Sequence, residues 1–447
     1  MTGTALLETV NFVSFDGGFK AQSEVQRPDD YRLIETDLGD RPRIARGGGD
    51  SYAAASFGAG SLVHDMTRFN RVVRFDPAAQ LIEVEAGMTL GDLLNLTVPA
   101  GLWLPVQPGY PAITVGGCIA ANVHGKNPAL SGTFIRYITD LKLFHPKHGT
   151  LEASPTANSS VFDLTCGGYG LTGVILTATL QLESLPGSKL SMQRTPVRSL
   201  AEALALVRAS GGRKAFTYTW HDAAPSARTF GRGFVYEGSF VPGTSSRASL
   251  PPRYRLLTAA SRARIPVSVW NRLTTRALNS LYWHWELVRP KRADLPLFDS
   301  LFPFARRPEI FAFFGRRGFA EYQVLVPDRQ VDGFLGEIQK RIIKTDAPAV
   351  LLSFKLFKGD QRLLRFEGDG VCVTLYLARS RAGLAFLPIL DQLTTETGSI
   401  PNIIKDSRLP YPMVQACYPQ YEAFRELLRA YDPARLFRSE LSERLRL

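Results

Sequence analysis

Cysteine is scarce and scattered. The chain of 447 residues holds four, Cys118, Cys166, Cys372 and Cys417, and no CxxC pair. That excludes a disulfide framework and a thiolate zinc site; no metal is expected, and a reducing, cytoplasmic setting is. No run of 18 apolar residues without charge occurs, so no spanning helix is expected. The first residues, MTGTALLETVNFVSFDGG, lack the basic start and long apolar stretch of a secretory signal. Internal repeats and low-complexity tracts are absent. Acid is short relative to base: 41 Asp and Glu stand against 53 Lys and Arg, for a net charge of +12. Such a surplus permits an anionic partner, whether nucleic acid, a membrane surface or a phosphorylated substrate. What is abundant is apolar residue, 45% of the chain with 27 Phe, enough for a large core. The length suits two or three domains.

The positive charge is concentrated. Between Pro251 and Arg292 lie nine basic residues, among them Arg253, Arg255, Arg262 and Arg264, against the single acid Glu286. Inside this window Ile265–Val288 reads as an amphipathic helix. Trp270, Leu273, Ala277, Leu278, Leu281, Tyr282 and Trp285 recur at three- and four-residue steps. Such a stripe fits core packing beneath a solvated basic face, or a helix lying on an anionic bilayer, possible here on the inner membrane face. No zinc-finger spacing or RNP-type motif accompanies the charge, so nucleic acid is not expected as a partner.

Along the chain, Leu81–Ala86 alternates like a strand and Thr89–Ala100 is helical, with Gly101 as its stop. Tyr137–Phe144 and Thr150–Ala153 read as a hairpin, and Gly173–Ser184 as a long strand. Leu185-Pro186-Gly187 breaks the pattern and marks a boundary. Beyond it the strand candidates are Phe216–Trp220, Tyr322–Val326, Leu351–Phe357 and Val371–Leu377. The helix candidates are Ser199–Ala209, Val331–Ile343 and Leu384–Thr397. Tyr418–Leu447 reads as helical and charged, broken at Pro433.

Gly168-Tyr-Gly170-Leu-Thr-Gly173 spells GxGxxG, yet the residues that follow, VILTATLQL, read as a strand. A dinucleotide fingerprint needs a helix there, so the Rossmann reading is rejected. A Walker A loop is absent as well: Asn127 follows Gly125-Lys126. Glycine clusters instead at 47–49, 109, 116–117, 125 and 167–168. Loops of this kind let backbone N–H groups approach a pyrophosphate without a helix, although each one alone is an ordinary tight turn.

These segments carry a resemblance. RPRIARGGGDSY (41–52), VEAGMTLGDLL (84–94), GLWLPVQPGYPAITVGGCIAANVHGKN (101–127) and GYGLTGVILTATL (168–180) resemble the FAD-binding domain of the vanillyl-alcohol oxidase superfamily. Within it the chain is most similar to the family of the oxidase subunit of decaprenylphosphoryl-β-D-ribose 2′-epimerase. TYTWHDA (217–223), GFAEYQVLVP (318–327), VCV (371–373), KDSR (405–408) and DPARLF (432–437) extend it in the same order. It is weakest around 235–310.

The resemblance implies an α+β, two-domain fold. An FAD-binding domain (1–187) is completed by 402–447; a substrate domain (188–401), an antiparallel sheet flanked by helices, carries the basic insert at about 251–292. It implies FAD held by Gly47, Gly48, Gly49, Asp50, Ser51, Tyr52, Pro108, Gly109, Thr114, Gly116, Gly117, Cys118, Ala121, Asn122, His124, Gly125, Lys126, Gly170 and Gly173. Many members attach flavin through a His in the first glycine loop; here the loop is Gly47–Ser51, so FAD is expected to be non-covalent. Lys405 and His124 are implied as catalytic, and Trp220, Gln323, Lys355, Cys372 and Lys405 as lining the substrate pocket. Cys372 matches a thiol beside the flavin and not a nucleophile. Pro128, Asn402, Phe314 and Glu321 depart from the family pattern, which bears on which sugar is taken. The implied reaction is oxidation of a sugar hydroxyl to a ketone, at C2′ of a polyprenyl-phosphate ribose, with a short-chain reductase as partner. Two alternatives stay open: a sugar-lactone or alditol oxidase, and a non-catalytic lipid-binding scaffold.

Overall fold

A computed structural model describes residues 7–36, 38–244, 264–303, 305, 309–345 and 347–447. The first part of the basic window, with Arg253, Arg255 and Arg262, lies outside the described residues.

The N-terminal part carries two sheets. β1 (Glu8–Val13) and β2 (Lys20–Gln26) form an antiparallel pair. β3 (Arg43–Arg46) and β4 (Leu62–Asp65) add in parallel, in the order β1-β2-β4-β3. β5 (Val72–Asp76) and β6 (Leu81–Glu85) begin the second sheet. The short β7 (Leu102–Trp103) follows, and then β8 (Ile138–His145), β9 (Gly149–Ala153) and β10 (Val174–Gln181) complete that sheet as β5-β6-β10-β8-β9. β11 (Glu183–Ser184) pairs with β7. The helix Leu90–Thr97 is capped by the Thr89 side chain, and Gly101, at φ 72°, ends the turn that follows it.

A third sheet of eight strands is antiparallel throughout. Its strands are β12 (Lys189–Val197), β13 (Phe216–Asp222), β14 (Gly233–Phe240), β15 (Arg292–Pro296), β16 (Phe319–Val326), β17 (Ala349–Phe357), β18 (Gly370–Ala378) and β19 (Ile400–Pro401). Their order is β15-β12-β14-β13-β17-β18-β16-β19. Period-two alternation sorts the side chains. On one face Tyr322 and Val324 of β16, Leu352 and Phe354 of β17, and Val373 and Leu375 of β18 are buried in one apolar cluster. The helices Leu200–Ser210, Val331–Thr345 and Arg381–Glu396 cover them with Leu204, Ile338 and Leu387. The opposite face carries the polar residues described below.

The C-terminal residues return to the first sheet. Arg43 N–H donates to the Leu436 carbonyl at 2.8 Å and Arg438 N–H to the Arg43 carbonyl at 3.0 Å. Leu441 and Leu445 are buried in one cluster with Ile44 and Val63. The fold is α+β with antiparallel sheets, as the resemblance implies.

The basic helix is shorter than its periodicity predicts, and its polar side is the inward one. It spans Arg272–Val288, not Ile265–Val288, because Asn271 caps it: the side-chain oxygen Oδ1 of Asn271 accepts from Leu273 N–H and Thr274 N–H. Its buried residues are Thr275, Asn279 and Glu286. Two of them, Asn279 and Glu286, have a polar reason to be inward. Asn279 Nδ2 donates to Asp222 at 2.9 Å and to the Val350 carbonyl at 2.8 Å, and Glu286 accepts from Arg194 at 2.5 Å. The apolar stripe from Leu273 through Trp285, which fitted either core packing or a bilayer surface, is largely on the outer side.

Candidate active site

Four glycine loops distant in sequence meet. A Cβ on Gly47 would stand 2.0 Å from Thr114 Oγ1, and one on Gly48 would stand 2.5 Å from the Ala112 carbonyl oxygen. Gly116 packs against Ala86, Gly125 against Gln107, and Gly170 against Ile44 in the same way. The small side chain is therefore required for loop to sit on loop, forming a cradle that any larger residue would fill. Thr114 caps the helix Val115–Ala121 through Gly117 N–H at 3.3 Å.

Not every residue of the implied FAD set offers its side chain there. Cys118 faces the core and is fully buried, which pushes its thiol pKa up. Asn122 is committed to structure: its Nδ2 donates to Glu367 at 2.9 Å, and its Oδ1 accepts from Ile135 N–H at 3.0 Å. Ser51 Oγ donates to the Ala53 carbonyl. Gly173 is needed because its Cβ would meet the Phe144 carbonyl oxygen of the neighbouring strand at 2.4 Å. The segment Gly168–Gly173 runs into β10, in agreement with rejection of the Rossmann reading.

The polar face of the third sheet supplies the rest. Residues two apart in a strand share a face, so Glu321 and Gln323 of β16 stand with Cys372, Thr374 and Tyr376 of β18 and Lys355 of β17. Gln323 is pinned on both ends. Its Nε2 donates to Glu321 Oε1 at 3.0 Å and to Thr374 Oγ1 at 2.9 Å. Its Oε1 accepts from Asn402 at 2.5 Å and faces His124 Nε2 at 3.5 Å. Asn402 heads the turn that presents Lys405, whose ammonium lies 3.5 Å from Glu321 and 4.0 Å from the centre of the Tyr52 ring. That turn is fastened by Ser407 Oγ donating to Asp16 Oδ2 at 2.5 Å, with Arg379 Nη1 on the same oxygen at 3.2 Å. Lys355 Nζ donates to the Gly125 carbonyl at 3.4 Å, joining sheet to loop.

Three lysines thus converge with a histidine. Burial holds Lys126 down to about 7, reinforced by the charges of Lys355 and Lys405. Burial also lowers Lys355, and it takes His124 to about 3, so this imidazole is neutral. Cys372 is pushed up to about 12 by burial and is an inert thiol here. Among the described residues no carboxylate pairs with Lys126. A buried amine beside a glycine cradle, with Gly109 alongside, fits an anionic cofactor such as a dinucleotide.

Trp220 sits on the same face of the sheet but apart from this cluster, packed on Tyr282 at 4.5 Å and on Phe234 at 6.3 Å. Tyr376, Thr374 and Asn402 join the site without having been singled out as site residues. Tyr376 and Thr374 follow Cys372 at period two, the signal that leads to them.

Residues 39–154 match the family of FAD binding domains. The chain is 31% identical to decaprenylphosphoryl-β-D-ribose oxidase of Mycolicibacterium smegmatis, over 92% of this chain and 90% of the relative. The chain belongs to this family of FAD-binding oxidases. Partial matches surround it. L-gulonolactone oxidase of Mus musculus is 33% identical over 30% of this chain and 30% of the relative. D-lactate dehydrogenase of Anaerostipes hadrus is 26% identical over 40% of this chain and 36% of the relative. The oxidase is a flavoprotein that uses FAD, and its glycine cradle lies in and beyond the matched domain.

Proposed function

We propose that this oxidase oxidises C2′ of a polyprenyl-phosphate ribose to the ketone, the first half of an epimerisation to arabinose. The observation that carries it is the cluster of Lys126, Lys355, Lys405, neutral His124 and Gln323 between the glycine loops and the polar sheet face. Bound FAD supplies the hydride acceptor. The chain supplies the remainder. Lys405 and Gln323 orient the hydroxyl, and His124 offers a neutral hydrogen-bond partner. The buried amines, held towards neutrality, are placed to take the hydroxyl proton. Glu321 gives Lys405 its counter-charge in a position where a neutral glutamine is common in the family. Residues 1–187 with 402–447 would bind FAD, and 188–401 would bind the sugar. A reductase of the short-chain class would then reduce the ketone from the other face. An anionic membrane surface would hold both the enzyme and its lipid-linked substrate.

Anaerobic mixing with polyprenyl-phospho-ribose tests the reading. Rapid bleaching of the flavin absorbance is expected. No bleaching with that substrate, together with rapid bleaching by an aldonolactone, would replace it with a lactone oxidase, the activity named for the mouse relative. Lys405→Ala should keep FAD and lose reduction by ~100-fold or more; unchanged turnover removes Lys405 from the site.

A further inference from the structure

The helix Arg272–Val288 presents to solvent what a helix ordinarily hides. Leu273, Ala277, Leu281 and Trp285 follow one another at four-residue steps, and Val288 closes the same face. Leu273 is 74% exposed, Leu281 66% and Val288 83%. Val267, at 74%, and Phe313 lie just before the helix and beside its start: Val269 N–H donates to the Phe313 carbonyl. Of the large apolar residues exposed among those described, no other stretch gathers so many. A patch of this kind on a folded protein marks an interaction surface.

The inward face explains why the apolar side is outward. Asn279 and Glu286 are held by the polar contacts to Asp222, Val350 and Arg194, with Thr275 buried on the same side, so the rotation of the helix about its axis is fixed. The border of the patch is cationic. Arg276, Arg289, Lys291 and Arg292 are exposed; of the nearby acids, Glu286 is buried against Arg194 and Arg289, and Asp294 alone is exposed beside Arg292.

We infer that this face docks on an anionic bilayer, its leucines and Trp285 entering the headgroup boundary and its arginines meeting lipid phosphates. An apolar stripe of limited length with a basic border is the composition such a surface selects. Charge complementarity favours lipid over a second copy of the chain, whose matching face would carry the same arginines. The helix also touches the sheet face that carries the site, at Trp220 and Tyr236, apart from the lysine cluster. Tyr282 OH lies 3.1 Å from Tyr236 OH, and the Tyr282 ring stands edge-on to Trp220 at 4.5 Å. Docking would therefore bring the sheet face that holds Trp220 up to the bilayer, where a prenyl-anchored sugar phosphate is found. This last point rests on the substrate reading above; docking itself does not.

The test uses the FAD-loaded full chain and flotation with substrate-free vesicles of phosphatidylcholine containing about one-third phosphatidylglycerol. The wild type should float with these vesicles and far less with pure phosphatidylcholine. The triple variant Leu273→Asp, Leu281→Asp, Val288→Asp should bind about tenfold less or weaker still. The control pair Val72→Asp, Val73→Asp, at exposed positions elsewhere, should bind like the wild type. Tryptophan emission should be quenched by brominated lipid in the wild type alone. Wild type that stays unbound, or a triple variant that floats undiminished, overturns the proposal. So does a wild-type dimer that the triple variant abolishes while neither touches vesicles; the face would then belong to a second copy. Flavin reduction by a short-chain, detergent-soluble substrate should survive in the triple variant. Its absence from wild type that does bind vesicles would fail the substrate reading and leave the docking surface standing.

Discussion

Lys126 concentrates the chemistry of the site in one side chain. Its ordinary pKa is 10.5, and burial with two neighbouring lysines brings it to about 7 in the folded protein. Between these values the unfolded chain binds the extra proton, so the stability of the FAD-free protein rises with pH from about 7 to 10.5. Below pH 7 the cost of burying the cation is present in full. Lys126→Met should flatten this rise, read by urea unfolding across that range. Glu321 is the mirror case. Its side chain is 1% exposed, and Lys405, at 29%, is its ion-pair partner. Glu321→Gln leaves Lys405 without its carboxylate. Because Lys405 is partly solvated, the loss in the FAD-free protein should be ~1–2 kcal/mol, below the figure for a wholly buried pair. The same variant should raise the flavin's reduction potential, since net positive charge is added beside it; dye equilibration reads this.

Elements differ in how far the sequence discloses them. Alternation in FAEYQVLV and GVCVTLYLA marks β16 and β18, and once Cys372 is placed, period two delivers Thr374 and Tyr376 to the same face. The loops of the glycine cradle are legible as glycine clusters because close packing at Gly47, Gly48, Gly116 and Gly125 leaves little room for anything larger. β12 and β14 are harder to read: KLSMQRTPV and GFVYEGSF mix charge, Pro and Gly, and their pairing with each other, and that of β12 with β15, is set by partners far along the chain. The basic helix is the instructive case, because the sequence left two orientations open. Its apolar period is real, but period reports only that two faces differ, not which of them is inward. Asp222, the Val350 carbonyl and Arg194 decide that, and none is local in sequence. Asn279→Ala removes two buried hydrogen bonds at once. It should cost ~1–3 kcal/mol and speed amide exchange along Arg272–Val288 more than elsewhere.

At the scale of the molecule, the Lys405 turn is fixed through Ser407 by Asp16, near the start of the described chain, and by Arg379. The C-terminal residues close the first core through Leu441, Leu445 and Leu447. Deleting 440–447 should therefore abolish FAD loading, measured as the ratio of flavin to protein absorbance after purification, though the deleted residues lie outside the site. With no His in Gly47–Ser51, acid precipitation should release all the yellow colour into the supernatant; colour kept in the washed pellet would mean a covalent bond elsewhere.

The inside-out helix also reverses the usual guidance for altering this protein. A substitution table built on hydropathy would spare Leu273, Leu281 and Val288 and sacrifice Thr275, Asn279 and Glu286. Here Asn279 and Glu286 anchor the helix, and substitution of the exposed Leu273, Leu281 and Val288 is expected to leave the unfolding midpoint in urea unchanged. Solubility work should begin with those leucines, and mild detergent should disperse the wild-type protein better than added salt.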